Sequence, residues 1–269
     1  MKLSEAVKKL TAAGIENARG EARMLFEHFG KFRREELIGC DAESDSEELS
    51  EALSRREKRE PIQHIIGRVD FWRESYKVCP DCLIPRQETE LVVDYAVRNI
   101  PRGERFIDLC TGSGCIAIST LASTEGTSAV CADISEAALA IARENAESCG
   151  VQHRLTFVPC DVLDKRIEGE FFAVLSNPPY VTEKAYAELE PELYFEPRLA
   201  LVGHGEGGTG FYERLTELYK DSIKPGGFIA YEIGYDQADA LVDIAKRNGM
   251  SAEIIKDYSG NCRVAVLRK

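Results

Sequence analysis

Hydrophobic residues in the first sixty positions recur at helical spacing. Leu3, Ala6, Val7 and Leu10 fall on one face, and Ala22, Leu25, Phe26 and Phe29 form a second stripe. Asn17 stands where it can cap that second helix, and Gly30 stands where it can stop it. Asp45 or Ser46 can cap a third helix, with Leu49 and Leu53 facing inward and Pro61 closing the region. Residues 1–61 therefore read as an all-helical domain. The charged run from Arg55 to Glu60 reads as its solvated face.

The pattern changes between residues 62 and 85. Ile62, Ile65, Ile66, Val69, Phe71, Trp72, Tyr76 and Val78 are β-branched or aromatic, with Gly67 and charged residues between them. That composition predicts a β-hairpin linking two domains. From residue 86 to 269, short apolar runs alternate with amphipathic segments. Strands are expected at 105–109, 128–132, 155–159, 171–175, 227–233, 252–256 and 264–268, with helices at 88–99, 114–122, 135–148, 209–222 and 236–248. The fold class is α/β: a mostly parallel, Rossmann-like sheet covered by helices. The last two strands lie so close in sequence that one of them must run antiparallel.

Composition narrows the function. The 269 residues carry 34 basic and 46 acidic side chains, a net charge of −12. The densest basic stretch, Arg55 to Arg59, is broken by Glu57, so no patch suits a phosphate backbone and nucleic acid is a disfavoured partner. No run of about 18 apolar residues is present, and the N-terminus lacks the apolar stretch of a signal peptide. A cytoplasmic, monomeric protein without membrane contact is expected. Of nine cysteines, only Cys79 and Cys82 have metal or redox spacing, and no second pair follows. They read as reduced structural thiols, and no metal is expected.

Two loops carry chemistry. Phe106-Ile-Asp-Leu-Cys110-Thr111-Gly112-Ser113-Gly114 is a strand followed by a glycine turn and a helix start. The glycines permit a tight turn and let a ligand approach the backbone. Such nucleotide loops are followed about 20 positions on by an acidic residue that holds ribose hydroxyls, and Asp133 stands there. Asp161, after the third strand, is placed to accept from an adenine amino group. This loop fits a nicotinamide dinucleotide as well as S-adenosylmethionine, and a plain βα turn is the simpler alternative.

The second loop is Asn177-Pro178-Pro179-Tyr180, after the fourth strand, at the edge where open α/β sheets bind ligands. Two prolines fix φ and remove two N–H donors, so the loop offers carbonyl acceptors. Asn177 Oδ1 and the Pro178 carbonyl can take both hydrogens of an NH₂ group, with the Tyr180 ring against its plane. That suits methylation of a planar nitrogen, whose delocalised lone pair is a poor nucleophile until acceptors polarise it. A dinucleotide oxidoreductase has no use for this loop.

These loops resemble those of class I S-adenosylmethionine-dependent methyltransferases that modify planar NH₂ nitrogens. More closely, the chain resembles the HemK-type protein-(glutamine-N5) methyltransferases, which act on peptide-chain release factors. The matches are Pro61-Ile-Gln-His-Ile-Ile-Gly67, Ile84-Pro-Arg-Gln-Glu-Thr-Glu90, Asp108-Leu-Cys-Thr-Gly-Ser-Gly114, Ser176-Asn-Pro-Pro-Tyr180, Glu196-Pro-Arg-Leu-Ala-Leu201 and Tyr231-Glu-Ile-Gly234. The resemblance implies a helical N-terminal domain that helps dock a class I release factor, a hairpin, and a methyltransferase domain. It implies that Cys110, Thr111, Gly112, Ser113 and Gly114 line the methionine part of S-adenosylmethionine, Asp133 holds its ribose, and Asp161 with Val162 borders its adenine, S-adenosylhomocysteine being the product. Asn177, Pro178, Pro179 and Tyr180 then bind the amide of the Gly-Gly-Gln glutamine beside the donor sulfur, with Asn177 also bordering the cofactor and Asn177, Pro178 and Tyr180 in the catalytic roles. A ribosomal-protein glutamine, or a DNA or RNA amine, is the alternative substrate. Three features depart from the family pattern: Gln87 replaces a proline, Cys110 a smaller residue, and the stretch from Gly203 to Gly210 is unusually rich in glycine. His204, inside that stretch, reads as a loop residue rather than a base.

Overall fold

A computed structural model describes residues 1–269, which divide into two compact units. The first comprises residues 1–68 and the returning segment 190–195; the second comprises residues 69–189 and 196–269.

The first unit holds α1 (Leu3–Ala12), α2 (Ala18–Phe29), α3 (Glu47–Glu57) and α4 (Ile62–Ile66) around a core that includes Leu10, Leu25, Phe26, Leu49 and Leu53. Ser46 caps α3 by accepting the Leu49 N–H at 3.1 Å, whereas Asn17 makes no side-chain cap. The three helices that the apolar spacing predicts all form, and α4 is added to them. Lys31, just past the end of α2, takes a left-handed φ of 59°, and only a 3₁₀ turn, Arg34–Leu37, forms before α3. The β-branched run Ile62–Ile66 is helical rather than part of a hairpin. Its Ile62 and Ile65 are spaced to bury against the helical core, and Gly67, at φ 81°, ends the turn by donating to the Gln63 carbonyl at 2.7 Å. Tertiary burial here outweighs strand propensity. The charged run is not simply solvated either. Arg56 is buried and pairs with Glu21 and Glu192, and Arg59 grips both carboxylate oxygens of Glu192 at 2.6 and 2.7 Å. These two arginines hold the returning segment 190–195 within the unit.

β1 (Arg68–Phe71) and β2 (Glu74–Lys77) form the hairpin, which belongs to the second unit from Val69 onward and is shorter than the expected 62–85 span. Then follow α5 (Glu90–Asn99), β3 (Arg105–Leu109), α6 (Cys115–Ala122), β4 (Ser128–Asp133), α7 (Glu136–Ser148), β5 (Leu155–Pro159) and β6 (Phe171–Ser176). The short α8 (Glu183–Tyr186) and α9 (Arg198–Leu201) precede α10 (Gly210–Tyr219), β7 (Ile223–Glu232), α11 (Ala238–Arg247), β8 (Ser251–Lys256) and β9 (Cys262–Arg268). The seven-stranded sheet runs β5-β4-β3-β6-β7-β9-β8, parallel except for β9, which is antiparallel to both neighbours.

Successive strand residues alternate between two buried faces, as the pleat requires of a covered sheet. Phe106, Cys131, Leu175 and Phe228 pack with α5 and α6 on one face. Ile107, Val130, Val174 and Ile229 pack with α10 and α11 on the other. The parallel register sets Leu109 beside Ala132 and beside Ser176, so β3, β4 and β6 end together at one sheet edge.

The hairpin is fastened to the sheet's helices. Tyr76 Oη lies 2.6 Å from Ser119 Oγ, and Trp72 Nε1 donates to Ser123 Oγ at 2.8 Å. Asn145 of α7, almost fully buried, accepts the Lys77 N–H at 2.7 Å and donates to the carbonyls of Lys77 and Ser113 at 3.1 and 2.9 Å. One side chain thus joins hairpin, helix and glycine loop. Asn145→Ala leaves buried groups unpaired and should lower stability by about 2–3 kcal/mol. A urea titration checks this, and an unchanged midpoint would contradict it.

Candidate active site

The glycine turn between β3 and α6 is shaped by buried polar contacts. Asp108, fully buried, accepts from the Thr111 hydroxyl at 2.5 Å and the Ala117 N–H at 3.3 Å. Gly114 has φ 82°, and a Cβ there would lie 2.8 Å from Ile118 Cδ1 and 3.1 Å from Ala142 Cβ, so only glycine fits. Cys110 takes a left-handed φ of 57° without that freedom. Burial and the nearby carboxylates of Asp133 and Asp108 push its thiol well above the usual range. It stays neutral and does not compete as a nucleophile.

Asp133 ends β4. Its two oxygens accept the N–H groups of Gly112 and Ser135, each at 2.9 Å, and burial raises its pKa. Each carboxylate oxygen still has a lone pair for a ligand. Asp161 follows β5, and its Oδ1 accepts the Leu163 N–H at 2.9 Å.

These residues meet at one cavity of about 200 Å³. Cys110, Thr111, Gly112, Ser113, Asp133, Asp161, Val162, Asn177 and Pro179 line it. Gly114, Pro178 and Tyr180 do not; Gly114 shapes the turn behind the wall, and Pro178 is buried. Three aspartates, Asp81, Asp133 and Asp161, line the cavity, and no lysine or arginine does. Ile134, Val162, Leu163 and Phe211 supply apolar wall.

Several lining residues were given no role at the site by the sequence. Asp81 to Leu83 and Pro85, expected to belong to a linker, form part of the wall, as does Thr89. Cys82 is buried beside Ala138 and Ile141, and burial pushes its thiol up to about 12. His204 lines the cavity and stacks on Phe211 at 5.1 Å.

The loop after β6 is anchored from behind. Ser176 Oγ donates to the Leu109 carbonyl at 2.5 Å. Asn177 Nδ2 donates to Thr89 Oγ1 at 3.3 Å, and the Tyr180 hydroxyl donates to Glu232 Oε1 at 3.3 Å. The glycine-rich stretch packs on the Tyr180 backbone. A Cβ at Gly208, where φ is 74°, would lie 2.2 Å from the Tyr180 carbonyl oxygen. Gln237 Nε2 clasps the two loops by donating to the carbonyls of Gly207 and Tyr180 at 2.7 and 3.3 Å.

Known proteins share this organisation. The PrmC N-terminal domain family matches residues 2–67, and the Methyltransferase small domain family matches residues 88–206. A release factor glutamine methyltransferase of Caulobacter vibrioides is 36% identical, covering 97% of this chain and 93% of its own. One from Moorella thermoacetica is 35% identical, covering 97% and 95%. Among solved structures, the ribosomal protein L11 methylase of Lactobacillus delbrueckii subsp. bulgaricus superposes with a TM-score of 0.53 at 16% identity, over 71% of this chain and 83% of its own. A methyltransferase from Pyrococcus furiosus gives 0.53 at 19%, over 71% and 86%. At those identities the structures share the fold.

Burial pushes the pKa of Asp108 from 3.8 up to about 7. The native state then holds a proton that the unfolded chain releases near 3.8, so the contribution of Asp108 to stability falls as pH rises through that interval. Across that range, wild-type stability should decline relative to Asp108→Asn by up to about 1.4 kcal/mol per pH unit. Denaturant midpoints measured at successive pH values check this, and parallel profiles would contradict it.

Proposed function

This chain belongs to the release factor glutamine methyltransferase family, and we propose that it transfers a methyl group from S-adenosylmethionine to the side-chain amide nitrogen of the glutamine in the Gly-Gly-Gln loop of class I release factors. The observation that carries the proposal is the convergence of Asn177 and Pro179 with Asp133 and the glycine turn on one cavity.

The cavity suits an adenosyl sulfonium better than a dinucleotide. A diphosphate needs positive charge or free backbone N–H groups, and three aspartates with no lysine or arginine oppose it. The same carboxylates favour a cation. Asp133 would hold the ribose hydroxyls, while Ile134 and Val162 would flank the adenine with Asp161 at its amino edge. Bound there, S-adenosylmethionine supplies an electrophilic methyl group.

The rest of the chemistry belongs to the chain. Asn177 Oδ1, on the cavity wall, would accept one amide hydrogen of the glutamine, and the carbonyl of Pro178, which lies outside that lining, would accept the other. That holds the nitrogen in place and polarises it, and the same acceptors stabilise the positive charge that develops on it. Pro178 and Pro179 keep the loop rigid and free of competing N–H donors. No strong base is needed, since the extra proton leaves to water after transfer. The N-terminal helical unit is proposed to contribute to docking the release factor, and a cytoplasmic setting belongs to the same proposal. No helix is long and apolar enough to cross a membrane.

Labelled S-adenosylmethionine should mark a purified class I release factor and leave unmarked a variant lacking the loop glutamine. Equal labelling of both, or label found only on ribosomal protein or RNA, would overturn the assignment. Asn177→Ala should cut turnover by about 10²-fold or more while the fold survives. Asp133→Ala should weaken cofactor binding by about 1–3 kcal/mol in calorimetry. Wild-type turnover in the first variant, or wild-type affinity in the second, would remove that residue from the site.

A further inference from the structure

The proposed chemistry needs Asn177 to present its oxygen, not its NH₂ group, to the substrate. The two ends of a carboxamide have nearly the same shape, so its orientation is set by its hydrogen-bond partners. Behind Asn177 stands Thr89, and behind Thr89 stands Glu232. The Thr89 hydroxyl donates to Glu232 Oε2, and Thr89 Oγ1 accepts from Asn177 Nδ2 at 3.3 Å. Thr89 and Glu232 are both 2% exposed, so water does not supply alternatives. An ionised carboxylate only accepts. The one hydroxyl proton of Thr89 is therefore committed to Glu232, and the lone pair it turns to Asn177 can be met only by the NH₂ end.

We propose that Glu232 and Thr89 are positioning residues, a relay that fixes the Asn177 carboxamide with Oδ1 toward the substrate amide. This rests on the glutamine-amide reading above. Neither residue is assigned contact with the reacting atoms. The other Glu232 oxygen accepts the Tyr180 hydroxyl at 3.3 Å, so one buried carboxylate aligns both ends of the Asn177-Pro-Pro-Tyr180 loop.

The segment bearing Thr89 is itself clamped. Glu196 accepts the Ile84 N–H at 2.8 Å and pairs with Arg86, whose carbonyl accepts the Thr89 N–H at 3.1 Å. The runs from Ile84 to Glu90, from Glu196 to Leu201 and from Tyr231 to Gly234 thereby serve one purpose: they place a hydroxyl of fixed polarity behind Asn177.

The relay depends on Glu232 being ionised. Burial pushes its pKa up to about 7, and the like charge of Glu88 adds to the rise. Hydrogen bonds from Thr89 and Tyr180, and Arg263 on β9, act in the opposite sense. A protonated Glu232 can donate to Thr89, which frees the Thr89 proton to attract Asn177 Oδ1 and reverse the amide. Turnover should therefore fall as pH drops through about 7.

Thr89→Val, Thr89→Ser and Glu232→Gln test this, read by methyl transfer to a release factor and by the side-chain NH₂ resonances of Asn177. Those resonances are identified by their loss in Asn177→Ala. Thr89→Val should lower kcat by about 10- to 100-fold and shift the Asn177 pair while the protein still folds, with a lower melting temperature because the buried Glu232 carboxylate loses a donor. Thr89→Ser should restore both kcat and the resonances. Glu232→Gln, neutral at every pH, should lose the acid limb of the kcat profile. Wild-type kcat with unmoved resonances in Thr89→Val, equal damage in Thr89→Ser, or an unchanged acid limb in Glu232→Gln would each overturn the relay. A wild-type enzyme that methylates no glutamine would defeat only the functional reading, since the resonances report the relay without turnover.

Discussion

The parallel register of β3 with β4 and β6 is the constraint on which the site depends. It brings the ends of three strands level, with Leu109 between Ala132 and Ser176. Each strand then releases a different chemical group at the same edge. The glycine turn comes from β3, Asp133 from β4 and the Asn177 loop from β6. Both faces of these strands are buried, so a slip of one residue would move every core side chain to the wrong face. The Ser176 hydroxyl bond to the Leu109 carbonyl ties two of the three strand ends directly.

Three carboxylates near this edge, Asp108, Asp133 and Glu232, make no ion pair. Burial raises the pKa of Asp108, Asp133 and Glu232 alike. Each is instead held by neutral donors: hydroxyls for Glu232, backbone N–H groups for Asp133 and one of each for Asp108. Such groups are costly to bury, and their concentration around a cavity marks a functional region rather than a stabilising one. Asp81, Asp133 and Asp161, which line the cavity without a lysine or arginine beside them, give it the electrostatic character suited to a positively charged donor.

Much of this was legible in the chain because the signals are local. A short apolar run reports a strand buried on both faces, a glycine pair after a strand reports a tight turn, and two prolines report a rigid loop of acceptors. What was not legible depends on distant partners. Thr89 and Glu232 are 143 positions apart, and nothing near either residue announces the other. Asn145 looks like any polar residue of an amphipathic helix until the hairpin is laid against it. Arg56 reads as solvated until segment 190–195 returns to meet it. Ile62–Ile66 has strand-forming residues, yet a helical core and a left-handed glycine make it a helix. Resemblance to a family flagged the runs containing Thr89, Glu196 and Glu232, but not what they do for one another.

The most direct test of the central claim is a crystal structure of the protein with S-adenosylhomocysteine and a peptide containing Gly-Gly-Gln. The expected result is the glutamine amide nitrogen between Asn177 Oδ1 and the Pro178 carbonyl, with the ribose on Asp133. A glutamine bound away from Asn177, or a nucleoside bound away from Asp133, would contradict it.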